Sequence, residues 1–264
     1  MRRIIDVHTH AFPDPVAEKA IPSIVEETGC PARYDGTVSG LLAVMECGGI
    51  AASLIAPVAT KPSQVRGIND WVISLLDDER LIPFGSMHPD LEDAEAEIAR
   101  LAEAGVRGIK LHSMQQDFCP QDERMDAIYT SAIAHGLIIL FHAGGYLIDA
   151  GLDVGPADFA AMLNRWPGMT CIVAHMGGYY RWHEMDEHLL GRDVYLDTSS
   201  VPGHLADEEF VRISRGHGIE KILFGSDGPW ATVAEDAGRI ERMGFTEDEL
   251  DAILEGNARQ LLVR

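Results

Sequence analysis

Two histidines stand two residues apart in Ile4-Ile5-Asp6-Val7-His8-Thr9-His10, at the end of an apolar run. In an extended strand, side chains at i and i+2 leave on the same face. His8 and His10 should therefore point the same way, as a metal ion requires of two imidazoles on one rigid support. Taken alone, the pair is equally compatible with two histidines on a mobile segment. Later segments add weight to the metal reading. His142 follows the apolar run Leu137-Ile138-Ile139-Leu140-Phe141, His175 stands in Ala174-His175-Met176-Gly177-Gly178, and Asp227 follows Phe224-Gly225-Ser226. His142 is the expected third ligand. His175 is either a fourth ligand or an acid beside the metal, and the second role is favoured because a catalytic metal keeps one position open. Asp227 is expected to ligate and to take the proton of metal-bound water, the alternative being a helix N-cap.

Lys110 and His112 share one strand parity, so both should face inward if Lys110 does. A lysine inside a fold is costly unless neutralised or paired. Three roles stay open for it: bonding to carboxylates, binding a substrate anion, or carrying CO2 as a carbamate that bridges two metals. Arg181 and Arg107 are further anion-binding candidates, with an exposed surface role favoured for Arg181. Asp6, which shares the parity of His8, and Asp197 are weaker site candidates. His88 is expected to make a loop hydrogen bond, and His183, His188, His204 and His217 read as surface residues. Trp182, Trp230, Met114, Phe118 and Tyr146 read equally as pocket wall or core.

These residues need a scaffold that brings them together. Apolar strand patterns at 50–58, 81–87, 106–112, 137–142, 170–175, 193–197 and 221–227 follow the first strand. The run over 137–142 lacks alternation, as expected of a parallel strand buried on both faces. Helical patterns separate the strands, among them one capped by Thr37 and stopped at Gly48-Gly49, and one over 13–27 that Pro22 should interrupt. Eight strands alternating with helices argue for a single (β/α)8 TIM barrel over residues 1–264. An open doubly wound sheet would call for a glycine-rich phosphate turn after its first strand, and His8-Thr9-His10-Ala11-Phe12 is not one. In a barrel, functional side chains gather at the C-terminal strand ends, where the histidines and Asp227 stand.

Composition sets outer bounds. With 42 acidic against 21 basic residues, the net charge of -21 disfavours nucleic-acid and anionic-membrane partners. An anionic substrate is still compatible, since a bound cation sets its own local field. Cys30, Cys47, Cys119 and Cys171 show no paired spacing, which favours reduced thiols. Met1-Arg2-Arg3 lacks the apolar stretch of a signal peptide, and no run approaches the roughly 20 residues of a membrane span. A cytoplasmic location and a small-molecule substrate are expected, with homo-oligomerisation left open.

The chain resembles the amidohydrolase superfamily, and within it the amidohydrolase-related group that includes aminocarboxymuconate-semialdehyde decarboxylase and pyrone-dicarboxylate lactonase. The resemblance runs through Asp6-Val7-His8-Thr9-His10, Gly108-Ile109-Lys110-Leu111-His112, Phe141-His142, Ala174-His175-Met176-Gly177-Gly178, Tyr195-Leu196-Asp197-Thr198-Ser199-Ser200, Phe224-Gly225-Ser226-Asp227 and Gly256-Asn257-Ala258. It implies one catalytic divalent metal, commonly zinc, held by His8, His10, His142 and Asp227, with His175 as the catalytic or orienting histidine. Lys110 falls where a carbamylated lysine bridges two metals in other branches, so a second ion is compatible. The expected activity is metal-dependent hydrolysis of a small amide, ester or lactone. The alternatives are non-oxidative decarboxylation of an aromatic or unsaturated carboxylic acid and, from another class, a non-catalytic metal- or ligand-binding barrel.

Overall fold

A computed structural model describes residues 2–145 and 154–263. Tyr146 therefore lies outside the described residues. The parallel strands are β1 (Ile4–Thr9), β2 (Ile50–Ile55), β3 (Leu81–Pro83), β4 (Gly85–Ser86), β5 (Gly108–Leu111), β6 (Ile138–Phe141), β7 (Cys171–Val173), β8 (Tyr195–Asp197) and β9 (Ile222–Leu223). They pair in sequence order as β1-β2-β3 and β4 through β9. β3 and β4 are one barrel strand broken at Phe84, whose amide donates to the Ile55 carbonyl at 3.0 Å. Sequence patterning predicts that strand as unbroken. The last strand is shorter than expected, yet its continuation closes the barrel. Val7 N donates to Phe224 O at 2.9 Å and Asp227 N to His8 O at 2.8 Å, joining β1 to the segment after β9. The architecture is a (β/α)8 barrel.

Alternate strand residues form the interior, with Ile5, Val7, Leu54, Phe84, Leu140, Ile172 and Leu223 in one apolar cluster. The opposite strand faces, through Ile109, Leu111, Ile139, Phe141 and Leu196, pack on helix residues such as Leu41, Val72, Ile98, Phe159 and Phe210. The predicted Thr37 cap is present: its side chain accepts from Gly40 N and opens the helix Val38–Gly48, which Gly49 ends at φ 66°. Pro22, however, lies inside a continuous helix, Asp14–Thr28. It occupies the exposed side, where water can take the carbonyl that proline leaves without a donor. His217 is another correction. It is buried, with Nε2 donating to Val194 O at 2.8 Å, because its helix packs that turn inward.

The Gly256-Asn257-Ala258 stretch follows a π-helical turn, Ala252–Gly256, and explains itself through packing. Asn257 Nδ2 donates to Ile219 O at 2.7 Å and Ile222 O at 2.8 Å, clamping the entry to β9. Asn257→Ala should cost about 2 kcal/mol in a denaturant melt, since buried carbonyls lose their donor. No change in midpoint would remove this role.

Asp236 makes a second stability prediction. Its Oδ2 is buried with no hydrogen-bond partner, and burial, with Asp6 and Glu235 nearby, pushes its carboxyl up to about 7. A raised carboxyl contributes its stability at low pH and loses it as pH rises through 7. Asp236→Asn should therefore stabilise the protein above pH 7, by about 1–2 kcal/mol after solvent screening, with the gain fading towards pH 4. Melts of both proteins across that range read it directly.

Among the described residues, no helix is long and apolar enough to cross a membrane, and the four cysteines are free thiols.

Candidate metal centre

β1 carries one residue more than β2 between two register points. Asp6 lies opposite Ser53 and Thr9 opposite Ile55, three steps on one strand against two on the other. Such a bulge re-aims side chains near a strand end. Parity counted back from His8 therefore fails at Asp6. Instead of joining His8, Asp6 accepts from Ser226 Oγ at 2.6 Å, Ser226 N at 2.9 Å and His8 N at 3.1 Å. It is a seam residue between the first and last strands.

Beyond the bulge, His8 and His10 converge with Asp227. One ligand atom from each lies within 4.8 Å of the others, the set among the described residues that could hold a metal ion. His10 Nε2 is 3.1 Å from Asp227 Oδ1, and His8 Nε2 is 3.6 Å from the same oxygen. Gly225 permits the approach, because an added Cβ would sit 2.9 Å from the Cβ of His8.

Hydrogen bonds behind the rings fix which nitrogen faces the site. His10 Nδ1 lies 2.9 Å from Ala56 O, which can only accept, so Nδ1 carries the hydrogen. His8 Nδ1 donates to Asp197 Oδ2 at 2.9 Å. Both rings thus turn a lone pair on Nε2 towards Asp227. A neutral His10 and an ionised Asp227 would then oppose two acceptors at 3.1 Å, an arrangement that a cation between them relieves. This donor set fits a divalent metal ion: imidazole nitrogens with a carboxylate oxygen, each held from behind. Burial and the charge of Lys110 bring His8 down to about 4, leaving it neutral to ligate. Burial works to raise the Asp227 carboxyl, but the imidazoles of His10, His8 and His175 around it hold it well below the usual range. Asp227 also accepts from Ser200 Oγ at 2.7 Å.

His142 and His175 form the next layer. His175 Nδ1 donates to Ser199 O at 2.8 Å, so its Nε2 accepts from His142 Nδ1 at 3.1 Å. The His175 and His8 rings are 5.4 Å apart. His142 stacks on His112 with ring centroids 3.9 Å apart. Among the expected ligands, His142 is therefore joined to the three-residue group through His175. His175, Ser200 and Asp227 all hold positive φ, at 57°, 56° and 70°, a backbone strain that clusters where side chains must be aimed.

Lys110 pairs laterally with Leu140, which places it on the interior face. Its Nζ is fully buried and donates to His8 Nε2 at 3.1 Å. Among the described residues no carboxylate lies within ion-pair distance of it, so the carboxylate-bonding role is not realised. Arg181 is ion-paired with Glu184. Trp182 is buried and donates to His175 O at 2.9 Å, and Phe118 is core. His88 accepts from Asp90 N, the expected loop bond.

Two contributors are hard to see in sequence. Asp197 is fully buried. Besides holding His8, it accepts from His175 N at 3.1 Å and Ser199 N at 3.0 Å. Burial opposes its ionisation, yet the field and bond of His8, the field of His175 and the Ser199 hydroxyl bring it down to about 2. Its place at the end of β8 was the available signal. Tyr34 donates to the His10 carbonyl at 2.6 Å from a loop with no motif. Asp197→Asn should weaken metal binding about 10- to 100-fold, because His8 loses its orienting acceptor. A metal titration showing unchanged affinity would remove Asp197 from the centre.

A model of the amidohydrolase family matches residues 5–264. The chain is similar in structure to 5-carboxyvanillate decarboxylase LigW from Sphingomonas paucimobilis, at 18% identity and TM-score 0.76, over 99% of each chain. It is similar to the uncharacterized TIM-barrel protein Bb4693 from Bordetella bronchiseptica, at 18% identity and TM-score 0.76, over 98% of each chain. A dihydroxybenzoic acid decarboxylase from Polaromonas sp. JS666, solved with manganese and the inhibitor 2-nitroresorcinol, matches at 16% identity and TM-score 0.74, over 99% of this chain and 97% of its own. No curated protein matches the sequence.

Proposed function

Because the chain belongs to the amidohydrolase family, we propose that it is a metal-dependent decarboxylase of a small aromatic or unsaturated carboxylic acid. The observation that carries this reading is Lys110, a buried ammonium beside the metal-ligand group with no carboxylate partner among the described residues. Burial lowers it only to about 8, so it is largely charged at neutral pH and calls for an anion. Arg33, exposed on a neighbouring loop, adds a second cation near the rim. Its loop docks on the site through Arg33 N, which donates to Pro229 O at 2.7 Å, and through the neighbouring Tyr34. Fold neighbours that act on aromatic acids, one with manganese bound, support the same class.

His8, His10 and Asp227 would hold the cation. A bound divalent ion supplies electrostatic pull on the substrate's oxygens. Lys110 binds the carboxylate. The bond from ring or vinyl carbon to the carboxylate breaks, CO2 leaves, and the electron pair stays on carbon. A proton then joins that carbon, delivered from solvent through His175. Manganese or zinc fits this donor set, and one ion per chain is expected while Lys110 remains an amine. Screening aromatic and unsaturated carboxylic acids for CO2 release tests the reading. Failure of all of them, with turnover of lactones or esters, would reverse it.

Hydrolysis is the second reading, favoured by the depressed Asp227 carboxyl, which is free to accept a proton from attacking water. His175 would then steady the developing oxyanion.

A further inference from the structure

Of the imidazoles gathered at the barrel mouth, His8 and His175 each have both ring nitrogens hydrogen-bonded within the protein, and His10 turns its Nε2 to Asp227. His112 differs. Its Nδ1 accepts from the backbone N–H of Gln115 at 3.4 Å, and a backbone amide can only donate. The ring hydrogen of neutral His112 is therefore on Nε2. Among the described residues no protein acceptor meets that Nε2–H. The ring cannot easily turn away, because it lies parallel to His142 at 3.9 Å, with an interplanar angle of 9°.

The backbone beneath is equally fixed. His112 N donates to Gln116 Oε1 at 2.8 Å. Gln116 Nε2 donates in turn to Ala59 O at 2.8 Å and Met87 O at 2.6 Å. One glutamine thus ties together the segments that follow β2, β4 and β5. A donor that is almost buried, rigidly held and without a protein acceptor is preorganised for an external oxygen.

We propose that His112 Nε2–H is a substrate-binding donor to an anionic oxygen of the substrate. This rests on the carboxylate-substrate reading above. Lys110 supplies charge, whereas His112 supplies direction without adding charge.

Two amide replacements separate this role from a structural one. Asparagine places its carbonyl oxygen where Nδ1 stands, so it keeps the bond from Gln115 and loses the outer donor. Glutamine reaches the Nε2 position with an N–H and gives up the inner acceptor. Salicylate serves as the probe, titrated calorimetrically into manganese-loaded protein. His112→Asn should weaken its binding about 10- to 100-fold, the range for a hydrogen bond to a charged group, while His112→Gln stays within about threefold of wild type. Manganese affinity should be the same in all three proteins. Equal binding by His112→Asn and wild type overturns the proposal, as does loss in His112→Gln alone, which marks a structural cap. If the wild-type protein itself fails to bind salicylate, the carboxylate reading falls and the proposal falls with it.

Discussion

Asp227→Asn should lower turnover by about a thousandfold while leaving the barrel folded. The substitution preserves shape, so the bond from Ser200 Oγ persists at its 2.7 Å position. What disappears is the charge that faces His8 and His10 Nε2 and the carboxylate's capacity to carry a proton. General acid–base groups contribute about 10²- to 10⁴-fold, and loss of a charged ligand adds to that. Elemental analysis should show reduced metal at limiting supply, and circular dichroism should match wild type. Activity within tenfold of wild type would mean that Asp227 neither ligates nor moves a proton.

Lys110→Met should move activity and stability in opposite directions. Removing the buried ammonium takes away the anion's partner, so activity should fall about 10²- to 10³-fold, the scale for an electrostatic donor in an active site. Stability should rise. Burial lowers the lysine from 10.5 to about 8, which means folding disfavours its charged form. As pH falls from above 10.5 through 8, the unfolded chain takes up a proton that the folded chain resists, and stability is lost. Methionine avoids that cost, so the variant should gain about 2–3 kcal/mol below pH 8 and nothing above pH 10.5. A purely structural lysine would show the reverse, with lower stability and unchanged turnover. The two readouts together therefore distinguish a binding group from a packing one.

How much of this was legible in the sequence depends on the range of the interaction. The His8/His10 pair, the strand-end position of Asp227 and the barrel itself follow from local periodicity and from the alternation of strands and helices. Those patterns depend on neighbours a few residues away. Thr37 and Gly49 were legible for the same reason, since caps are local chemistry. Lys110 was visible as an inward residue, but its surroundings depend on distant parts of the chain, His8 being 102 positions away.

Other features escaped because they are set by contacts between segments. The bulge in β1 has no signature in Asp6-Val7-His8, yet it decides that Asp6 serves the seam and not the metal group. Asp197 reads as an ordinary strand-end acid until His8, His175 and Ser199 are placed around it. His217 looked exposed because its neighbours are polar, while its burial comes from packing against Val194. Pro22 was over-read. A helix with one face in water tolerates the missing donor.

The most direct measurement is an anomalous-scattering map from crystals grown with manganese. One peak should lie within bonding distance of His8 Nε2, His10 Nε2 and an Asp227 oxygen, with Asp197 still bonded to His8 on the far side of the ring. A manganese peak elsewhere, with those three side chains bonded only to protein, would contradict the centre on which the rest is built.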